Sequence, residues 1–488
     1  MPHIRNHAPI WLDLISNSNA KALIMKKIFY FIIAAMALTG FNSCEGFLSQ
    51  TSTNEVADSD VFTDAAGLEN ARIGLYNCLQ SQYYYGGYYQ LIADAYSDNG
   101  TTGGYDNLDL DELGYKEASA DNIYIENVWI AIYNTIYTAN QILANIDNIQ
   151  DETLSDEVSD DIKGEALAIR AMAHFDLLRM FGEHWDLSSS IGIPVVTEVL
   201  STDAQMKRNT VSETYNAILA DLITAESMLK NDDYRYDPPI FKGPQFMTQT
   251  ACQALLARVY RSMGDMSNAL DKASEVINTG FASMIDGDQV SDIYNTKFSS
   301  EAIFELAFNA QDKSQFNALT YAREDALRSE VSFLAAADLN DFFAGRPDDF
   351  RAPLLNFTGN DVSIEPDGRT EKYRGEIFQD NSAFIIRAAE MYLIMIEAKG
   401  YPAGVTDMIS FTLNRGVTSV DLTSSEAFEQ ALMNERRAEL NFEGDRYFDL
   451  AHFGKVSEIL GDEVLPCLPI PNREIGANGG LLEQYPGY

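Results

Sequence analysis

The residues best suited to chemistry crowd one short stretch. Tyr83, Tyr84, Tyr85, Tyr88, Tyr89 and Tyr96 flank the pair Gly86-Gly87, and Asp98-Asn99 lead into the loop Gly100 to Gly104, followed by Tyr105 and Asn107. Aromatic faces stack on the CH-rich side of a sugar ring, while amides and carboxylates hydrogen-bond its hydroxyls, so this mixture suits reversible binding of a polyhydroxylated ligand. Spacing divides the cluster. Tyr85, Tyr89, Ile92 and Tyr96 recur at three- and four-residue steps, the period of a helix face turned to a core. The loop side chains Asp98, Asn99, Tyr105 and Asn107 are therefore the first candidates for ligand contact, with Tyr84 and Tyr88 beside them.

Bond-breaking chemistry finds no comparable constellation. The sequence has no GxSxG elbow, no GxGxxG fingerprint, no Walker loop and no HExxH pair. Past residue 44 the histidines are His174, His184 and His452, none at helical ligand spacing from another. Asp106, Asp109, Asp111 and Glu112 fail the calcium-loop pattern because Leu108 and Leu110 fill ligand positions, and they read as solvated loop carboxylates. Glycoside hydrolysis needs two carboxylates at a defined separation, but with 73 acidic residues the presence of candidate pairs argues for nothing. No catalytic residue, metal or cofactor is expected. A net charge of −39 would repel nucleic acid and anionic membranes. Cys78, Cys252 and Cys467 lack metal-ligand spacing and read as small buried hydrophobes.

The beginning of the chain carries an address. Lys26 and Lys27 precede an apolar run from Ile28 to Thr39, the length of a signal-peptide core and short of a membrane span. Gly40, Phe41, Asn42 and Ser43 then lead into Cys44, a loose lipobox. In that reading Cys44 is cleaved free, diacylated on its thiol and acylated on its amine, which anchors the chain to a membrane through lipid (palmitate-type) chains. Residues 1–43 are thus upstream residues plus a lipoprotein signal, with Met25 as the true start.

The elements that must hold the tyrosine cluster are helices. Ala166, Ile169, Arg170, Ala173, Leu177 and Phe181 follow helical steps and stop at Gly182, and Tyr215, Ile218, Leu219, Leu222, Ala225 and Leu229 form a second stripe behind Ser212 as N-cap. From Ala251 to Gly280, small and apolar residues on either side of Gly264-Asp265 resemble a tetratricopeptide unit, which must stack on neighbouring helix pairs to cover its apolar face. Residues 121–150, 158–182, 211–230 and 383–399 supply candidates. The division expected is a helical region at 44–280, a loop-rich insertion with short strands at 281–380, and a helical region with an irregular tail at 381–488. In the segment from Asn434, charges alternate in sign at spacings that permit ion pairs on and beyond a helix.

Several segments in order resemble the SusD/RagB family of outer-membrane nutrient-uptake lipoproteins, across nearly the whole chain after Cys44. They are CEGFL from Cys44, IRAMAHFDLLRMFG from Ile169, RNTVSETYNAILADL from Arg208, the tetratricopeptide-like unit, SSEAIFEL from Ser299, IIRAAEMYLIMIEA from Ile385, NERRAELNFEGDRYFDLAHFG from Asn434 and LPIPNREIGANGGLLEQYPGY from Leu468. The resemblance implies a mainly α fold, a right-handed superhelix of tetratricopeptide-like helix pairs carrying a loop-rich insertion. It also implies a non-enzymatic lipoprotein that captures oligosaccharide at the outer face of the outer membrane and delivers it to a SusC-like TonB-dependent transporter. By region it adds Gln315, Phe316 and Tyr321 of the insertion as second ligand contacts. One departure is that only Glu45 is acidic close behind Cys44, where surface-exported relatives carry an acidic stretch. Two other functions fit the same residues: uptake of peptide, to which an acidic surface is suited when the peptide is cationic, and a lipid-tethered scaffold whose helix pairs bind protein segments.

Overall fold

The computed structural model describes residues 61–103, 107–201, 203–322, 330–356, 368–375 and 380–488. The signal segment, the lipidation candidate Cys44 and the site candidate Tyr105 lie outside the described residues. Helices α1 (Ala65–Leu79), α2 (Tyr88–Ala95), α3 (Leu108–Tyr115), α4 (Ile123–Asn145), α5 (Asp156–Phe181) and α6 (Val211–Met228) precede the pair α7 (Gln249–Ser262) and α8 (Met266–Asn278). After a strand-bearing stretch come α9 (Ala388–Lys399), α10 (Val405–Asn414), α11 (Ser425–Leu440) and α12 (Arg446–His452). The larger helices stack serially: α1 on α4, α4 on α5, α5 on α6, then α7, α8, α9 and α11. The fold is mainly helical and tetratricopeptide-like, as the sequence predicts.

Local chemistry explains each pairing. Between α7 and α8 the chain turns at Gly264, whose φ of +78° lies in the left-handed region open to glycine, and Asp265 caps α8 by accepting Asn268 N–H. Ala251, Ala254 and Ala257 on α7 and Ala269 and Ala273 on α8 are fully buried, so small side chains permit close helix approach. α6 begins in a capping box: Thr210, not the expected Ser212, accepts Glu213 N–H, and Glu213 returns a carboxylate to Thr210 N–H. Ser212 sits in the first turn because the reciprocal Thr/Glu pair three residues apart satisfies two free donors where a lone serine would satisfy one.

α5 departs from the expected amphipathic pattern. Every residue from Ala166 to Phe181 is buried, because neighbours cover all its faces. Its polar residues are therefore paired inside the protein. Glu165 meets Arg72 at 2.6 Å and Lys242 at 2.5 Å, and Arg170 grips Asp221 and Asn140. The helix ends at Gly182 for a reason other than a left-handed cap: the backbone there is extended (φ −135°), and a Cβ would lie 2.9 Å from Ile191 O. Close approach of the following loop is what demands glycine.

Strands are short and paired in two-stranded ribbons. β1 (Gly100–Thr102) pairs with β3 (Phe333–Ala335), β2 (Ala302–Leu306) with β6 (Ala383–Arg387), and β4 (Leu355–Asn356) with β5 (Arg369–Thr370), all antiparallel. The predicted helix 383–399 thus starts five residues late. Ala383–Arg387 is buried on both faces and pairs with β2, and its first four residues, all apolar, suit a covered strand as well as a helix. Likewise Asp109, Asp111 and Glu112 lie on α3 and are not loop carboxylates; Glu112 accepts Ser119 N–H and Asn122 Nδ2.

The strand-bearing stretch is locked to α11 by buried charge. Glu439 accepts Arg351, Arg387 and Arg415 at 3.0–3.1 Å, Glu301 accepts Arg387 and Arg415 at 2.7 Å, and Glu443 accepts Arg387 and Lys372. All of these side chains are nearly or wholly buried. The alternating charges from Asn434 are structural pairs that reach across the chain, not along one helix surface.

Candidate ligand-binding site

The Gly86-Gly87 turn is where the first helical region meets the insertion. Gln315 N–H donates to Gly86 O at 2.8 Å, and a Cβ on Gly87 would stand 3.0 Å from Gln315 Cβ. The turn opens α2 and leaves Tyr83 and Tyr88 half-buried on one side. Their rings stack with centroids 5.4 Å apart, and Tyr88 stacks in turn on Tyr124 of α4 at 4.9 Å. Phe333 of β3 abuts Tyr88 edge-on at 6.2 Å. Asn107, the N-cap of α3, donates its amide to the Tyr124 hydroxyl at 2.8 Å while accepting Leu110 N–H. The result is a ridge of three partly exposed tyrosines carrying one amide, beside β1 and β3. Burial, then the neighbouring Tyr124 hydroxyl, raises the Tyr88 hydroxyl pKa, so the ring stays neutral and acts as hydrogen-bond donor and stacking face.

The other sequence-picked residues have different surroundings. Tyr84 is wholly buried, and its hydroxyl and that of Tyr85 both donate to Asp176 of α5, at 2.6 and 2.7 Å. Asp98 is 7 % exposed; Arg446 grips both its oxygens at 2.7 and 2.9 Å, and Arg437 lies 3.1 Å away. Burial would raise this carboxyl, yet the two guanidiniums hold it below the usual range. Asn99 is buried, donating to Asp94 and accepting Arg437 Nε. Phe316 is buried flat against Tyr373 at 4.4 Å, and Tyr321 is buried beneath the Arg369 guanidinium at 4.8 Å. In this conformation these five side chains support the loop and the insertion and do not face solvent, whereas Tyr88 and Asn107 do so in part.

The residues that the sequence reading left out are Tyr83 and Tyr124. Tyr83 was visible in the cluster. Tyr124 lies on another helix, and only its position in the first turn of α4, two residues past the N-cap Asn122, hints that its ring stands at a helix entrance.

A ridge of stacked, partly exposed rings with amide donors can hold sugar faces and order their hydroxyls. Among the described residues no three histidine, cysteine, aspartate or glutamate side chains group to hold a metal ion, and no helix is long and apolar enough to cross a membrane.

Comparison with known proteins gives this geometry a context. Residues 46–261 match the family model described as starch-binding and associating with the outer membrane (SusD-like), and residues 365–467 match the SusD family model (SusD/RagB). SusD-like proteins P25 and P2 of Formosa agariphila are each 24 % identical to this chain; both comparisons cover 94 % of it, with 98 % and 99 % of the relatives. A SusD superfamily protein from Bacteroides thetaiotaomicron superposes with a TM-score of 0.75 at 23 % identity, over 87 % of this chain and 100 % of that one. A laminarin-binding SusD-like protein superposes at 0.72 and 22 % identity, over 87 % and 100 %. The structural likenesses establish a shared fold, and with both family models matched in order along the sequence, this chain belongs to the SusD/RagB family, a carbohydrate-binding family associated with the outer membrane.

Proposed function

We propose that this protein is a non-enzymatic lipoprotein that captures neutral oligosaccharides at the outer-membrane surface and passes them to a SusC-like TonB-dependent transporter. The observation that carries the reading is the ridge of Tyr83, Tyr88 and Tyr124 with Asn107, set at the junction of the N-terminal loop and the insertion. Stacking needs rings held in place before the ligand arrives, and each ridge tyrosine is fixed by its neighbour, so little side-chain entropy is lost on binding. Tyr105, two residues before Asn107 in sequence, remains a proposed contact. Asp98, Asn99, Tyr84, Phe316 and Tyr321 support the reading indirectly, as the groups that hold the ridge-bearing segments. Cys44 is the proposed lipid anchor, with the folded unit facing outward. Domain boundaries near 280 and 380 are proposed for the same chain, the middle portion being the insertion that supplies Gln315 and Phe333.

Calorimetric titration of the purified chain with laminarin and starch oligosaccharides tests this. Saturable binding without product formation, weakened about tenfold or more by Tyr88→Ala (~1.4 kcal/mol), is the expected result. Heat released only with cationic peptides would replace sugar by peptide. Co-purification with soluble proteins and no barrel would favour the scaffold.

A further inference from the structure

A second cleft, of about 1150 Å³, lies apart from the ridge and shares none of its residues. Phe350 stands in it with 42 % of its surface exposed. The residues on either side, Asp349 and Arg351, are almost completely buried, pair with each other, and continue through Arg351 into Glu435 and Glu439. Phe350 N–H also donates to Arg415 O at 3.0 Å. Two glycines, each first required by a backbone oxygen (Asn414 O would lie 1.6 Å from a Cβ on Gly287 and Asp348 O 2.3 Å from one on Gly416), run beside the ring. A Cβ on Gly287 would come within 2.9 Å of it, and one on Gly416 within 3.1 Å. One edge of the ring is thus seated on backbone, and the remainder faces the cleft. Exposed Asp288, Asp348 and Asn295 stand around it, with Arg374 beside Glu371 at 3.6 Å.

We propose that this cleft is a second saccharide-binding site, selective for neutral glycans, in which Phe350 is the stacking platform and Asp288, Asp348 and Asn295 hydrogen-bond ring hydroxyls. A platform held from both flanks by buried ion pairs is organised before binding, which is what a shallow stacking contact requires. Amide and carboxylate groups together offer both donors and acceptors, the complement of a polyol. The carboxylates around the ring turn away uronate or sulfated chains. The inference rests on the carbohydrate-binding reading above, but it concerns a different place on the molecule.

Hydrogen-exchange mass spectrometry with laminarihexaose and maltohexaose locates the contacts. The expected result is ligand-dependent protection of peptides spanning 286–296 and 346–356, retained in Tyr88→Ala and reduced about tenfold in apparent affinity by Phe350→Ala and by Asp348→Asn. The aspartate variant changes no buried group, so it keeps the test valid if the phenylalanine variant loses stability. Protection confined to the ridge peptides with either glycan overturns the second site and leaves the ridge standing. Protection of the cleft by oligolysine and by neither glycan overturns it in favour of a cationic peptide site, and a cleft that stays unprotected with every probe overturns it outright.

Discussion

Replacing Asp98 by alanine separates two roles for one residue. Sequence position makes it a ligand-facing carboxylate; the structure makes it the clasp between the loop after α2 and helices α11 and α12. Its two oxygens meet Arg446 at 2.7 and 2.9 Å, and Arg437 stands at 3.1 Å. The two arginines are not equal partners. Arg446 meets both carboxylate oxygens, whereas Arg437 gives Nε to Asn99 Oδ1 and also donates to the Asp98 carbonyl, so the bidentate contact to Arg446 is the stronger. Removing the carboxylate leaves a buried Arg446 guanidinium without its counter-ion, a change that costs roughly 3–5 kcal/mol. An unfolding entropy of ~2 cal/mol/K per residue gives ~0.9 kcal/mol/K for the unit Val61–Tyr488. Dividing the one by the other gives a fall in Tm of about 3–6 °C, measurable by scanning fluorimetry with calorimetric confirmation. Asp98→Asn, which keeps one acceptor, should lose about half as much. In Asp98→Ala with Arg446→Met the stranded charge is gone, and the double variant should be more stable than the two single effects added together by ~2 kcal/mol. If Asp98→Ala melts within about 1 °C of the parent while glycan binding disappears, the clasp argument is wrong and Asp98 is a ligand contact.

Glu439→Ala should destabilise at least as much, roughly 3–5 kcal/mol, because Arg351, Arg387 and Arg415 all converge on that carboxylate; urea unfolding would show the midpoint falling. Burial, then the Arg170 charge, lowers the His174 pKa to about 3, so the folded state keeps it neutral while the unfolded chain takes up a proton below ~6.5. Stability should therefore fall with pH below that point by up to ~1.4 kcal/mol per unit from this residue, and His174→Gln, whose amide oxygen can still accept Val196 N–H, should remove that slope in urea titrations between pH 6.5 and 5. Below ~4.3 a second loss begins. Glu165, raised by burial but held at about 2 by Lys242 and Arg72, contributes stability present above ~4.3 and lost towards pH 2, ~3 kcal/mol in all, and Lys242→Met should shift that loss to higher pH. Glu305 runs the other way: burial raises it to about 7, so the folded state prefers it protonated, and its contribution is full below ~4.3 and lost as pH rises to about 7. Glu305→Gln should accordingly gain on the parent in urea midpoint at pH 8 and scarcely at pH 4; parallel curves for the two proteins would refute this.

Most of the helical stack was legible because its signals are local. The Gly264-Asp265 turn, the alanines of α7 and α8 and the stripe on α6 are read from spacing alone, and the structure builds a helix pair and its neighbours from them. The misread elements share a different physics. Ala383 to Ile386 is apolar throughout, so no period distinguishes strand from helix, and only its partner strand β2, about 80 residues earlier, decides. α5 contains Glu165, Asp176 and Arg179, which suggest a solvent face, yet each is buried because a partner arrives from another element: Arg72 from α1, Tyr84 from the turn before α2, Asp445 from the start of α12, while Arg170, on the apolar stripe itself, is met by Asp221 from α6.

The site shows the same limit more sharply. Composition located the tyrosine cluster, but which tyrosine is exposed depends on what covers it. Tyr84 and Tyr88 are four residues apart and chemically identical; Asp176 draws one inside, while Gly87 turns the chain so that the other meets Tyr124 at the surface. Asp98 and Asn99 look like loop ligands for the same reason that they make good clasps: short side chains with oxygens on a tight turn serve a guanidinium as well as they serve a sugar hydroxyl. Arg437 and Arg446, more than 330 residues away, take up those oxygens in the fold, a partnership no local pattern announces. Phe350 is the converse case. Nothing near it in sequence marks a binding residue, since its flanking Asp349 and Arg351 belong to the buried ionic network; it is this network, assembled from α11 and the end of α10, that holds the ring still at the edge of a cleft. In a binding protein the residues that touch ligand need be only partly exposed and well held, so the holding residues, which a sequence displays as charged and surface-like, are those most easily mistaken for the site itself.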